Sequence, residues 1–245
     1  MDYTILLDKI KEGSTFDRAG LKVLIEECGY NASDSITNHM IMKMLSAGDI
    51  TRVGRNRYSA SDSRIQYHYD HSVFATSVAD EIIRVHPYLD FRIFELVQLN
   101  EFVNHQIAQN IVFVSVEKDL EDDVFNTLVH NHRGQVLFKP DVDGLYRYFV
   151  EDLIVIVKLP TESMRGSSEF WDTRLEKILV DIAVDKLLRK IVYSEEYPKI
   201  YHDAFKKYVI DKSTMLRYAR RRGAVDKYRD FLVNEACITP EEFVI

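Results

Sequence analysis

The first sixty residues constrain the fold most strongly. Three short apolar runs, each stopped by a glycine, lead directly into an arginine-rich alternating stretch. In "DYTILLDKIKEG", Ile5, Leu6 and Ile10 share one helical stripe and Gly13 is the stop. "TFDRAGLKVLIEECGY" repeats the pattern with Leu21, Leu24, Ile25 and Cys28 inward and Gly29 closing it. "NASDSITNHMIMKMLSAGD" starts on a capping serine, Ser33 or Ser35. It carries Ile36, Met40, Ile41, Met44 and Leu45 on its apolar side and ends at Gly48. "DITRVGRNRYSA" then reads as a hairpin that turns around Gly54 to Asn56 and returns through Tyr58, with Ile50, Val53 and Tyr58 packing back on the helices.

Three helices followed by a ribbon predict a winged helix over residues 1 to 60, the helix-turn-helix variant that carries a β-hairpin. In such modules the third helix enters the major groove and the ribbon lies along the backbone or an adjacent minor groove. Arg52, Arg55 and Arg57 would then sit at the ribbon tip, where phosphates pass. Residues 1 to 60 balance eight cations against eight acids, so this module is polarised rather than basic. A plainer role for the arginines is a solvated edge that resists strand-to-strand association. Such units also serve as protein-interaction modules. The DNA-binding reading needs an exposed tip, and a ribbon buried against the rest of the chain would remove its basis.

Residues 61 to 70, "SDSRIQYHYD", lack core periodicity and read as a linker to a larger domain over 71 to 245. There, helical patterns ("HSVFATSVADEIIRVHPY", "NEFVNHQIAQN", "LEDDVFNTLVHNH") alternate with strand patterns ("FRIFELVQL", "IVFVSVEK", "GQVLFKP", "YRYFVEDLIVIVKLP"). That alternation predicts a mixed α/β (α+β) fold, a sheet flanked by helices. From "WDTRLEKILVDIAVDKLL" onward the chain reads as helical. Lys177, Asp181, Asp185 and Arg189 are spaced by four for intrahelical pairing, and "STMLRYARRRGAVDKYRDFLVNE" reads as one serine-capped helix. Nine Lys or Arg against Asp211 and Asp226 make residues 206 to 229 a second basic segment, in a chain whose formal charge is −7. Arg217 and Arg221 share a helix face there, with Arg220 beside them. A solvated surface, a second nucleic-acid contact and a docking face all fit that pattern.

Several functional classes find no support. No glycine-rich phosphate loop and no nucleophile elbow occurs, and no cofactor is implied. "HNH" at 130 to 132 and "YHYDH" around His68, Asp70 and His71 read as surface histidines rather than metal ligands, because structural zinc needs four donors. Asp141, Asp143, Glu151, Asp152 and Lys158 would serve a metal-dependent nuclease or a nucleotidyltransferase-like enzyme. However, Ile156 and Val157 stand where a carboxylate two residues before the lysine would be expected. Cys28 and Cys237 lack metal-ligand spacing and suit a reducing cytoplasm. No apolar run approaches the ~20 residues of a membrane span, and the N-terminus lacks signal-peptide character.

The order of "RVGRNRYSA", "FRIFELVQLNEFVNHQ", "IVFVSVEK", "DDVFNTL", "TRLEKILVDIAVDKLL" and "LRYARRRG" resembles the AbiEi-type antitoxins of type IV toxin–antitoxin systems, in the branch with a longer α/β C-terminal domain. The resemblance covers most of the chain and implies a two-domain protein without catalytic activity. Its winged helix would bind inverted repeats in double-stranded DNA of its own promoter and repress it. Its second domain would help to neutralise a cognate nucleotidyltransferase-like toxin. "RVGRNRY" matches the family's wing, giving Arg52, Arg55 and Arg57 a backbone role. Ser35, Thr37, Asn38 and Lys43 of the third helix would face the groove. The chain departs from the family in having few long base-reading side chains there, with His39 the one larger polar group near the helix start. Two-fold operators favour a homodimer on DNA.

Overall fold

Helix α1 (Tyr3–Glu12), strand β1 (Phe16–Asp17), helices α2 (Arg18–Glu27) and α3 (Asp34–Ala47), and strands β2 (Ile50–Gly54) and β3 (Arg57–Ala60) make up the first unit. The structure, a computed structural model, describes residues 3–12, 15–60, 64–160, 163–166 and 168–238, so the stop assigned to Gly13 lies outside the described residues. The Asp17 carboxylate caps α2 at the Gly20 N–H (2.7 Å), and the Ser33 hydroxyl caps α3 at the Ile36 N–H. Gly48 ends α3 in the left-handed region at φ 75°, which a glycine adopts without a Cβ penalty. Leu6, Ile10, Leu21, Ile25, Met40, Ile41 and Met44 meet Ile50 and Tyr58 in one core. Ile5 and Ile36, expected inside, are exposed.

Strand β1 has no strong signal in the sequence. It joins through Phe16 paired to Tyr58, giving an antiparallel sheet of order β1-β3-β2. Val53 is buried but stands outside the helical core, contrary to expectation. Strand alternation puts Ile50 on the core face and Thr51 on the other, and the register shifts between Arg52 and Gly54.

The larger unit is built on a four-stranded sheet of order β4-β5-β7-β6: β4 (Phe91–Glu95), β5 (Ile111–Val116), β6 (Val136–Phe138) and β7 (Leu153–Lys158). β4 runs antiparallel to β5, while β5, β7 and β6 are parallel. Parallel strands covered on both faces are apolar along their whole length, as "IVFVSV" and "LIVIV" are. Val112, Val114, Ile154 and Ile156 pack under α4 (Val73–Val85) and α5 (Glu121–Asn131). Ile111, Phe113, Leu153 and Val155 face the opposite core, made with α7 (Leu175–Val184) and the helices that follow.

Those helices are α8 (Leu188–Ile191), α9 (Tyr197–Lys207), α10 (Lys212–Arg221) and α11 (Val225–Asn234), and a short α6 (Val142–Arg147) precedes β7. Every residue of α7 is buried, so its charges pair inside the protein. The Lys177 ammonium donates to Asp181 at 2.6 Å, while Arg189 turns to Glu235 rather than to Asp185.

Two expectations for this unit are corrected. "NEFVNHQIAQN" is not a helix; a 3-10 turn at Leu96–Glu101 leads into an irregular stretch. There the Asn100 amide pairs with both backbone groups of Ile107, and the Glu196 carboxylate accepts from the Asn104 and His105 N–H groups. The last helix is two, broken at Gly223 (φ 63°), and the cap of α10 is Asp211 rather than a serine. Ahead of this unit runs the stretch read as a linker. Its residues 64–70 lie along the larger unit, with Ile65 bridging Tyr208 through bonds to Lys207 and Val209. Among the described residues, no helix is long and apolar enough to cross a membrane.

Candidate nucleic-acid interface

Helix α10 packs against strand β2, so the ribbon does not stand free. Its tip is nevertheless open, because Arg52, Arg55 and Asn56 are exposed. Asn56, at φ 55°, supplies the left-handed residue of the turn, a conformation that asparagine tolerates. The Arg52 Nε–H donates to the Gly54 carbonyl at 3.2 Å, which leaves the rest of its guanidinium directed outward. Arg57 takes a different course and turns to the Thr15 hydroxyl.

Between the ribbon and the C-terminal helices lies a groove of about 680 Å3. Arg52 and Arg55 enter it from the ribbon, Arg217 and Arg220 from α10, and Arg229 from α11. Arginines more than 160 residues apart in the chain therefore share one surface. Among the described residues, Asp211 is the single acid lining it. That carboxylate accepts from the Ser213 hydroxyl (2.6 Å) and from both the N–H and the hydroxyl of Thr214. Burial pushes the Asp211 carboxyl up, but these hydrogen bonds outweigh it and hold the group below its ordinary range. Its charge is thus committed to capping α10. Among the described residues, no acid lies within ion-pair distance of the five arginines.

The other residues read from sequence fall as follows. Ser35, Asn38, His39 and Lys43 are exposed on α3. Thr37 is fully buried and its hydroxyl donates to the Ser33 carbonyl at 3.0 Å, so it cannot reach a ligand; its place on the apolar side of α3 decides this. Arg221 is exposed but does not line the groove, because α10 brings Arg217 and Arg220, three apart, to that side. Arg229 was missed: within "VDKYRDF" nothing local ties it to residues 52 or 217.

Two of the histidines differ from expectation. His71 is buried rather than on the surface, its Nδ1 3.1 Å from Glu95 and its Nε2 2.9 Å from Asp172. His132 bonds Glu81 and joins α5 to α4, while His130 points outward. Asp141 caps α6 at the Gly144 N–H. Among the described residues, no three His, Cys, Asp or Glu side chains gather as metal ligands would.

A model of a family of unknown function, DUF6577, matches residues 36–237. The chain belongs to DUF6577. Every arginine of the groove in this DUF6577 protein, and Asp211 with them, falls inside the matched span. No match is found among curated proteins. Among solved structures, the RV2827C protein of Mycobacterium tuberculosis aligns over 94% of this chain and 80% of its own, at 10% identity and a TM-score of 0.24.

Proposed function

We propose that this protein binds double-stranded DNA through the arginine groove, with the exposed face of α3 beside the duplex. One observation carries the reading: five arginines from distant segments converge on a groove whose single acid is already committed. Guanidinium groups offer a planar donor fork that matches phosphate oxygens. A duplex is favoured over a single strand because, among the described residues, no aromatic side chain lines the groove, and single-strand sites rely on aromatic platforms for the bases. The order α1, β1, α2, α3, β2, β3 supports reading the first unit as a winged helix, with Ser35, Asn38 and Lys43 toward the major groove. Docking of the ribbon on α10 changes the mechanism from a free wing to a rigid cleft, in which both units grip the backbone.

The resemblance to AbiEi-type antitoxins extends the proposal. The DNA would be the protein's own promoter with inverted repeats, bound by two chains in the cytoplasm. The second unit would counteract a nucleotidyltransferase-like toxin. Fluorescence anisotropy with the DNA upstream of the coding region tests the first step. The promoter duplex should bind more tightly than an unrelated duplex, and both more tightly than single-stranded DNA. Affinity should fall by roughly a thousandfold or more between 50 and 200 mM salt if some six phosphates are engaged. Equal binding of single strands, or no dependence on salt, would overturn the proposal.

A further inference from the structure

A second cavity, of about 570 Å3, opens at the carboxyl ends of the parallel strands. Ser115 of β5, Val157 and Lys158 of β7, and Lys139 just after β6 reach it. Open sheets bind ligands at this end, where the connecting loops diverge. The volume falls within the roughly 300–1,000 Å3 of small-molecule sites.

Depth sorts the lining by polarity. Phe94 and Phe113 are buried and stack with their ring centroids 5.8 Å apart, and Ile178 and Leu188 close the floor beside them. Lys139, Lys158 and Lys186 stand exposed at the rim. Asp141, Asp181 and Asp185 also face the cavity, but each is already partnered. Asp141 caps α6; Asp181 accepts from Lys177 and from the Tyr218 hydroxyl (3.0 Å); Asp185 accepts from Arg222 and from the Leu187 N–H (2.9 Å). Lys139 is held by Glu121 at 3.1 Å. Lys158 and Lys186 have no ion-pair partner among the described residues. The cavity thus combines an apolar floor with a rim at which, among the described residues, two lysines without an ion pair outnumber one such carboxylate, Asp141.

We propose that this cavity binds a small amphipathic organic anion, with its apolar body on the Phe94–Phe113 floor and its carboxylate, sulfonate or phosphate at Lys158 and Lys186. Among the described residues, none lines both this cavity and the arginine groove.

Anilinonaphthalene sulfonate, an aromatic body with one sulfonate, serves as the probe. The full-length protein, titrated by fluorescence and calorimetry, should bind one molecule per chain with a Kd on the order of 10 µM. A Lys158→Glu/Lys186→Glu variant should weaken binding by roughly tenfold or more, since both exposed side chains would then repel the sulfonate. The neutral analogue phenylnaphthylamine should bind the two proteins within about twofold of each other. Circular dichroism of the variant, with both changes at the surface, checks that the fold is retained. Absent or many-site binding, an unchanged sulfonate affinity in the variant, or an equal loss for both probes would each overturn the proposal.

Discussion

His71 lies between two carboxylates that only an imidazolium can satisfy at once, since both ring nitrogens must donate. Burial pulls its pKa down, but the bonds to Asp172 and Glu95 and their charges prevail, and it is pushed up to about 9. A folded-state pKa above the ordinary 6.5 means that the stabilisation is complete below pH 6.5 and is lost as pH rises through about 9. The amount is on the order of 3 kcal/mol. Glu95 and Asp172 are also buried, which raises their pKa values, but the bonds from His71 and nearby N–H groups bring both below the ordinary range. Their contribution is therefore lost at acid pH instead. Urea unfolding across pH should show stability falling between pH ~6.5 and ~10 in the wild type. His71→Gln should be less stable by about 3 kcal/mol at pH ~6 and should lose much less stability than the wild type up to pH ~9, below the range in which tyrosines ionise. Parallel profiles for the two proteins would show that His71 is neutral in the fold.

At the scale of elements, much was legible from periodicity alone. α3 with its Gly48 stop, the ribbon turn, and strands β5 and β7 follow from residue spacing and β-branched runs. The failures have local physical causes. Residues 102–110 carry a helix-like apolar pattern, but Asn100 and Glu196 satisfy their backbone groups, so no helical ladder is needed. The 212–234 segment is continuous in periodicity yet breaks where Gly223 adopts positive φ. The groove was legible only in halves. Each basic segment stands out in the sequence, but their meeting depends on α10 docking against β2, which no local pattern encodes. α10 also offers a test in which cap and charge separate. Asparagine caps a helix about as well as aspartate, so Asp211→Asn should keep the melting temperature within a few degrees. It also removes the groove's one negative charge, so DNA should bind several-fold more tightly at low salt, with the gain fading as the Debye length shortens. A looser complex would place the duplex elsewhere.

For the whole molecule, the proposed DNA binding raises the question whether the two units would grip one polyanion or two. Their separation in sequence suggested independent patches, whereas the structure gives a single lining. Counterion release provides the measurement, because each phosphate contact contributes about 0.9 to the slope of log affinity against log salt. Arg52→Ala/Arg55→Ala should reduce that slope by about 2, and Arg217→Ala/Arg220→Ala/Arg229→Ala by about 3. With all five changed the losses in slope should sum to about 5, because slope counts displaced ions. The free-energy losses need not sum, since neighbouring arginines share phosphates. A ribbon acting alone would leave the slope of the helix triple variant at its wild-type value. The docked cleft would then be a packing contact, and recognition would belong to the first unit by itself. If both sets count, the docking of α10 on β2 is what builds the binding surface, and neither unit separately presents the charge that the duplex would meet.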